Sequence, residues 1–322
     1  VRKSNLQERA TILPSNSNGF LDRVIGSGTL KFWAWASLIS QILIVVTGGL
    51  VRLTASGLGC PTWPKCTDKD LTTVPAQGIH GLIEFSNRML TFVLLVIAVA
   101  TLLVIFRKGV DRALGLRWQA VVLFLGIPAQ AVLGGFTVWS KLNPWFVGSH
   151  FILSGFMIVV ATILVWRVYN PTISAVPSLA RSLSPAIAVV GAIAVVIGVL
   201  VTGAGPHAGD AQSVRNGLDL TLWQHYHSYP AYLLLALAVV QWLSFSRSDR
   251  AAGTPKVRSL GTKIAGALVA TVCVQAIVGV AQARLGVPAP LVEIHMLLAS
   301  CLISLIAFTV LAGRSKSAVS GS

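Results

Sequence analysis

Long apolar runs alternate with short polar breaks along this chain. Eight runs, at roughly 32–52, 80–106, 118–139, 146–166, 184–203, 223–245, 264–283 and 289–312, are each about long enough to cross a hydrocarbon layer of ~30 Å as a helix. None shows the apolar–polar alternation of a barrel strand. A spanning segment has to satisfy its own backbone hydrogen bonds, so the pattern predicts an all-α membrane protein of eight transmembrane helices.

The order of residues within the runs repeats. QAVLGGFTVWSKLNPWFVGSH (Gln130 to His150) parallels QAIVGVAQARLGVPAPLVEIH (Gln275 to His295), and VTGGLVR (Val46 to Arg52) parallels VTGAGPH (Val201 to His207). Segments 2 and 6 follow each other less closely. Four crossings return a chain to the side it started from, so this spacing predicts two parallel-repeat four-helix bundles about an axis along the membrane normal. The expected division is a tail at 1–30, a first half at 31–168, a Pro- and Ser-rich linker at 169–183, a second half at 184–313 and a tail at 314–322.

Composition agrees with the pattern. Hydrophobic residues make up 54% of the 322 and charged residues 11%, against roughly a quarter charged in a soluble domain. The net charge of +15 at first suggests nucleic acid, but its distribution excludes that reading. Of the 25 Lys and Arg, 18 fall on the side of the bundle that carries both termini. The positive-inside rule then puts both termini in the cytoplasm of a multi-pass plasma-membrane protein. The N-terminal stretch has no apolar core with a small-residue cleavage site and reads as a cytoplasmic tail.

On that topology the loop GLGCPTWPKC (Gly57 to Cys66) faces outward, where a disulfide between Cys60 and Cys66 is permitted. Cys273 and Cys301 lie in apolar segments and read as packing residues. The candidate chemistry also gathers at the outer ends. Ionisable side chains inside a membrane are functional candidates by default. His227 and His295 sit at similar depths in segments paired by the repeat, which predicts a haem clamp on neighbouring helices. A zinc site would want three or four converging ligands. His225, two residues from His227, points elsewhere. In segment 2, His80, Glu84 and Asn87 share one face. Glu84 either pairs with Arg88, four residues on, or acts on a proton or a developing cation. Arg52 is either an interfacial anchor or a partner for a haem propionate.

Taken in order, GGLVRLTASGLGCPTWPKC, IEFSNRML, QAVLGGFTV with NPWFVGSH, TGAGPHAGD, LWQHYHSYPAYLLL and LVEIHMLLAS resemble the haem A synthase family, from about Lys31 to Gly313. The resemblance implies an enzyme that oxidises the C8 methyl of its substrate haem O to a formyl group, by successive hydroxylations and loss of water, for cytochrome c oxidase. It implies a haem b on His227 and His295 and substrate haem in the first half. The substrate site would draw on Glu84 and His150, with the latter also an iron ligand. The family's first-half motif is a Glu followed three residues later by a His, and here that position is Asn87. Either His150 is the sole strong ligand, or His80 or another group substitutes. The resemblance also implies a Cys60–Cys66 disulfide near the substrate site. Arg88 and His207 are expected in supporting positions, with His207 near a propionate. The implied partners are a haem O synthase, an electron donor without a signature in the chain, and the lipid bilayer; homo-oligomer formation is left open.

Two other classes fit the composition. A di-haem cytochrome b-like electron carrier would place haems at two depths, whereas both sites here sit near the outer face. A transporter would break helices at the midplane, and no segment looks broken there.

Overall fold

The structure, a computed structural model, describes residues 24–107, 110, 112–173, 176–252 and 259–315. The tails expected at 1–30 and 314–322 fall mostly outside these residues.

Among the described residues, eight helices are long and apolar enough to cross a membrane. They are α1 Leu30–Leu53, α2 Gly78–Phe106, α3 Arg117–Trp139, α4 Pro144–Tyr169, α5 Ser178–Ala204, α6 Leu220–Ala251, α7 Leu260–Arg284 and α8 Ala289–Arg314. Each begins within a few residues of its apolar run, but α5 starts at Ser178 and α6 continues to Ala251. Hydropathy marks the membrane-embedded stretch, while backbone hydrogen bonding carries the helix on into polar sequence. Helix α4 thus ends at Tyr169 and α5 begins at Ser178, inside the stretch expected as linker at 169–183. Side-chain caps fix three of the starts: Asn143 accepts from the Trp145 amide, Asp219 from Leu222 and Ser259 from Thr262.

Packing is cyclic within each half. Helix α1 packs on α2, α2 on α3, α3 on α4, and α4 returns to α1; α5 to α8 close in the same way. The halves meet through α4–α8, α1–α8 and α4–α5. A buried hydrogen bond between Thr162 and Ser304 (2.9 Å) crosses the α4–α8 seam. Such bonds are worth ~0.6 kcal/mol on average in a membrane, so close packing of small and aliphatic side chains contributes more to holding the halves together.

The two halves share local detail. The turn between α3 and α4 places Lys141 and Leu142 at φ 53° and 60°, and the turn between α7 and α8 places Gly286 and Val287 at 77° and 62°. In each, the second residue's amide returns to the preceding helix, Leu142 to the Thr137 carbonyl (2.7 Å) and Val287 to that of Gln282 (2.8 Å). Buried Ala120, Leu123 and Ile127 of α3 correspond to buried Ala265, Leu268 and Val272 of α7, 145 residues on. The VTGGLVR and VTGAGPH segments end their helices at different points: α1 runs to Leu53, past Arg52, whereas α5 stops at Ala204, before His207.

Candidate functional site

Antiparallel packing brings the C-termini of α1, α3, α5 and α7 to the same end of the bundle as the N-termini of α2, α4, α6 and α8. The candidate residues gather at that end. His150 lies six residues after the first residue of α4, Pro144, and His295 six after the first residue of α8, Ala289.

In the second half, the rings of His227 and His295 face each other with centroids 6.3 Å apart. Helices α6 and α8 are not among the closely packed pairs, contrary to the expectation of neighbouring helices; they confront each other across the ring of α5 to α8. Glycines make room for both imidazoles. A Cβ on Gly198 would come within 2.9 Å of the His227 ring, and one on Gly279 within 3.1 Å of His295. The Nδ1 atoms of both histidines are buried without a protein partner. Gln275 donates to the His295 carbonyl (3.1 Å), tying α7 to α8 at this histidine. Two imidazoles sharing one metal at bonds of about 2 Å put their ring centres about 6 Å apart, so the donor set and spacing fit a bis-histidine haem. Among the described residues no three His, Cys, Asp or Glu converge as a metal cage. One turn beyond His227, an open cleft of about 460 Å³ is lined by Gln224, Arg215, Ala283 and Val287, among others.

The first half repeats part of this. His150 sits over Gly134, and its Nδ1 is buried and unpartnered. Gln130 donates to the His150 carbonyl (3.4 Å) and to Ser154 Oγ (2.8 Å). The α2 side differs. Asn87 has a buried, unpartnered Oδ1. His80 is exposed, and its Nδ1 is hydrogen-bonded to Ser56 Oγ (2.9 Å).

Glu84 does pair with Arg88, but the pair does more than stabilise its helix. Glu84 Oε2 accepts the amide of Cys60 (2.6 Å), while Oε1 meets Arg88 (2.5 Å). The Arg88 guanidinium also donates to the carbonyls of Cys60 (2.9 Å), Thr62 (2.9 Å) and Lys65 (3.2 Å). The Cys60–Cys66 disulfide is formed and both cysteines are fully buried. Trp63 inserts over Gly135, where a Cβ would fall 2.7 Å from its ring, and makes an edge contact with Trp139 (5.3 Å). The loop is therefore fastened to α2 through Glu84 and Arg88, and to α3 through Trp63.

Arg52, His207 and His225 make their hydrogen bonds away from these seats. Arg52 donates to the Thr202 carbonyl (2.6 Å), bridging α1 to α5, and its Nε is buried without a partner. His207 donates from Nε2 to the Val287 carbonyl (2.8 Å), latching the α7–α8 turn. His225 is exposed and bonds the Thr221 carbonyl, away from His227. Glu293 escaped the sequence reading. Both its carboxylate oxygens are buried and unpartnered, and a Cβ on Gly49 would lie 2.7 Å from Oε2. A carboxylate in an apolar run two residues before His295 was the available signal.

Comparison with known proteins places the chain in a family. Residues 31–307 match the COX15-CtaA family, described as cytochrome oxidase assembly protein. A Heme A synthase of Listeria monocytogenes (strain HCC23) is 28% identical over 313 residues, covering 89% of this chain and 97% of that protein. Heme A synthases of Geobacillus thermodenitrificans and Geobacillus kaustophilus are 32% identical over 130 residues and 27% over 124. Both of these matches span 38% of each chain, so they cover well under half the length of those relatives. With the family match running through all eight helices, the chain belongs to the COX15-CtaA family of cytochrome oxidase assembly proteins.

Proposed function

We propose that this protein is a haem A synthase, a membrane oxidoreductase that converts the C8 methyl of haem O to a formyl group by successive hydroxylations and loss of water. The observation that carries the reading is the facing pair His227 and His295, with His150 at the matching position of the other half, in a chain of this family.

His227 and His295 would hold haem b, and what an iron porphyrin supplies when bound there is one-electron transfer. Arg215 and Gln224, lining the cleft one turn away, suit the carboxylate edge of such a group. His150 would ligate the substrate haem O. Glu84 is the only acid in α2, and Arg88 and the Cys60 amide fix its orientation. It would either take a proton near the reacting carbon or stabilise positive charge developing there. The disulfide loop would cover this site and restrict water. Arg52, with Nε free of protein partners, would meet a propionate at the seam of the halves.

The distribution of basic residues supports cytoplasmic termini in a plasma membrane, which puts both sites near the outer face. The shared turns and buried positions support parallel repeats. A haem O synthase would supply the substrate; each hydroxylation would need dioxygen as the oxidant, one oxygen atom entering the methyl group and the other leaving as water, with an electron donor supplying two electrons.

The test is haem extraction and chromatography from a host that makes haem O but no haem A. With this protein present, haem A or its hydroxylated precursor is expected, and Glu84→Ala should stop its formation. Haem b bound with haem O untouched, despite a supplied reductant, would instead identify an electron carrier.

A further inference from the structure

We infer that the first-half site presents one strong axial ligand, His150, and leaves the opposite position open to a small exogenous ligand beside Asn87. This rests on the haem-binding reading above and goes beyond it, because the two sites then differ in coordination number.

The alignment of α2 with α6 comes from burial. Leu94, Ala98, Thr101 and Ile105 are buried on α2, and Leu234, Ala238, Gln241 and Phe245 on α6, each 140 residues on. The same spacing sets Asn87 at the position of His227. An independent spacing of 145 sets His150 at His295, Gly134 at Gly279 and Gln130 at Gln275, with the glutamine-to-histidine hydrogen bond and the glycine seat present in both halves. The first half thus keeps one imidazole and replaces the other with a carboxamide.

Neither of the other two polar side chains on this face of α2 makes up the loss. His80 is exposed, bonded to Ser56, and lies seven residues from Asn87, about 10 Å along the helix. Glu84 is engaged by Arg88 and the Cys60 amide. Asn87 offers a neutral carbonyl oxygen, a donor better suited to hard cations than to porphyrin iron, for which imidazole is the better match. Its Oδ1 is buried with no protein partner, so the position contains a polar atom without a protein hydrogen bond. A small molecule able to sit on iron beside the Asn87 carboxamide suits it; carbon monoxide, cyanide and free imidazole are the probes.

The experiment uses the purified full-length protein carrying both haems. Carbon monoxide is titrated into the reduced form, and electron paramagnetic resonance of the oxidised form reports spin state. Expected is about one carbon monoxide per protein, a high-spin ferric component, and loss of both in Asn87→His with haem content unchanged. Two retained haems, both low-spin and inert to carbon monoxide, would overturn the open position while leaving the haem-binding reading intact. So would carbon monoxide binding that Asn87→His leaves undiminished. Wild-type protein that retains no haem would overturn the haem-binding reading itself. If Asn87→His does not fold, Asn87→Ala decides: it should keep the carbon monoxide site and take up free imidazole with conversion to low spin, and failure to bind either ligand overturns the inference.

Discussion

The two halves of the bundle build the same seat for one imidazole and differ in what they set against it. In both, a glutamine of the third helix holds the fourth helix at its histidine, a glycine receives the ring, and a two-residue left-handed turn aims the helix. The second half then opposes His295 with His227, placing Gln224 one turn away. The first half has Asn87 and Glu84 at those positions, and Arg88 where the second half has Ser228. Above them the first half carries a disulfide loop pinned by Trp63 onto Gly135; the equivalent position in α7 is Val280, exposed and without such a covering. A common scaffold thus supports a closed clamp in one half and an acid-bearing, covered site in the other. A pair of imidazoles that would supply both ligands of the proposed haem suits retention of a cofactor, whereas a site that would supply one suits a substrate that must arrive and leave.

The sharpest way to break this comparison is to remove one imidazole at a time. His227→Ala or His295→Ala should abolish the second-half haem and, with it, activity. His150→Ala should abolish activity while leaving the second-half haem bound. Haem-to-protein ratios on purified variants check this, and loss of all haem from His150→Ala would mean that the halves are not independent sites.

Glu84 and Gln224 form the next contrast. Glu84→Ala leaves Arg88 among its carbonyl partners without its counter-charge, and breaking a buried pair by removing one member costs about 3–5 kcal/mol. Both thermal stability and activity should fall. Glu84→Gln keeps an acceptor for the Cys60 amide, so it should recover much of the stability but not the activity. Gln224→Ala, on a more open surface, should stay within about 0.5 kcal/mol. Thermal unfolding in detergent, read beside turnover, separates the two roles.

Much of this was legible in the sequence because membrane spans advertise themselves. Eight apolar runs could only be helices, and the histidines stood out as costly residues at matched depth. The pairing of Glu84 with Arg88 was also readable, since four residues is about one helical turn. That Arg88 would gather carbonyls of Cys60, Thr62 and Lys65 was not: backbone acceptors leave no mark in a sequence, and the loop had to be folded onto α2 to supply them. Nothing in the sequence separates the roles of Gly134 and Gly135. Only the structure shows them serving opposite tasks, one beneath His150 and the other beneath Trp63.

Gly135→Val installs in α3 the residue that α7 carries at the matching position. The added side chain meets the Trp63 ring, and overpacking of this kind costs about 1–3 kcal/mol. The loop should lift at Trp63, with faster protease cleavage between Cys60 and Cys66 and reduced activity. Val280→Gly in the second half should change neither property.

The smallest effect belongs to the disulfide itself. Closing a loop whose ends lie six residues apart in sequence contributes about 2 kcal/mol by chain entropy. The loop has independent fastenings: Arg88 on three carbonyls, Glu84 on the Cys60 amide, Gln77 on the Cys66 carbonyl, and Trp63 on α3. Replacing both cysteines by alanine should therefore lower activity and stability modestly, by less than Glu84→Ala does. If instead the double replacement abolishes turnover while the loop stays protease-resistant, ordering cannot be the role of the bond, and its redox chemistry becomes the thing to measure. Full activity would show that the covering of the first-half site depends on the α2 fastening alone.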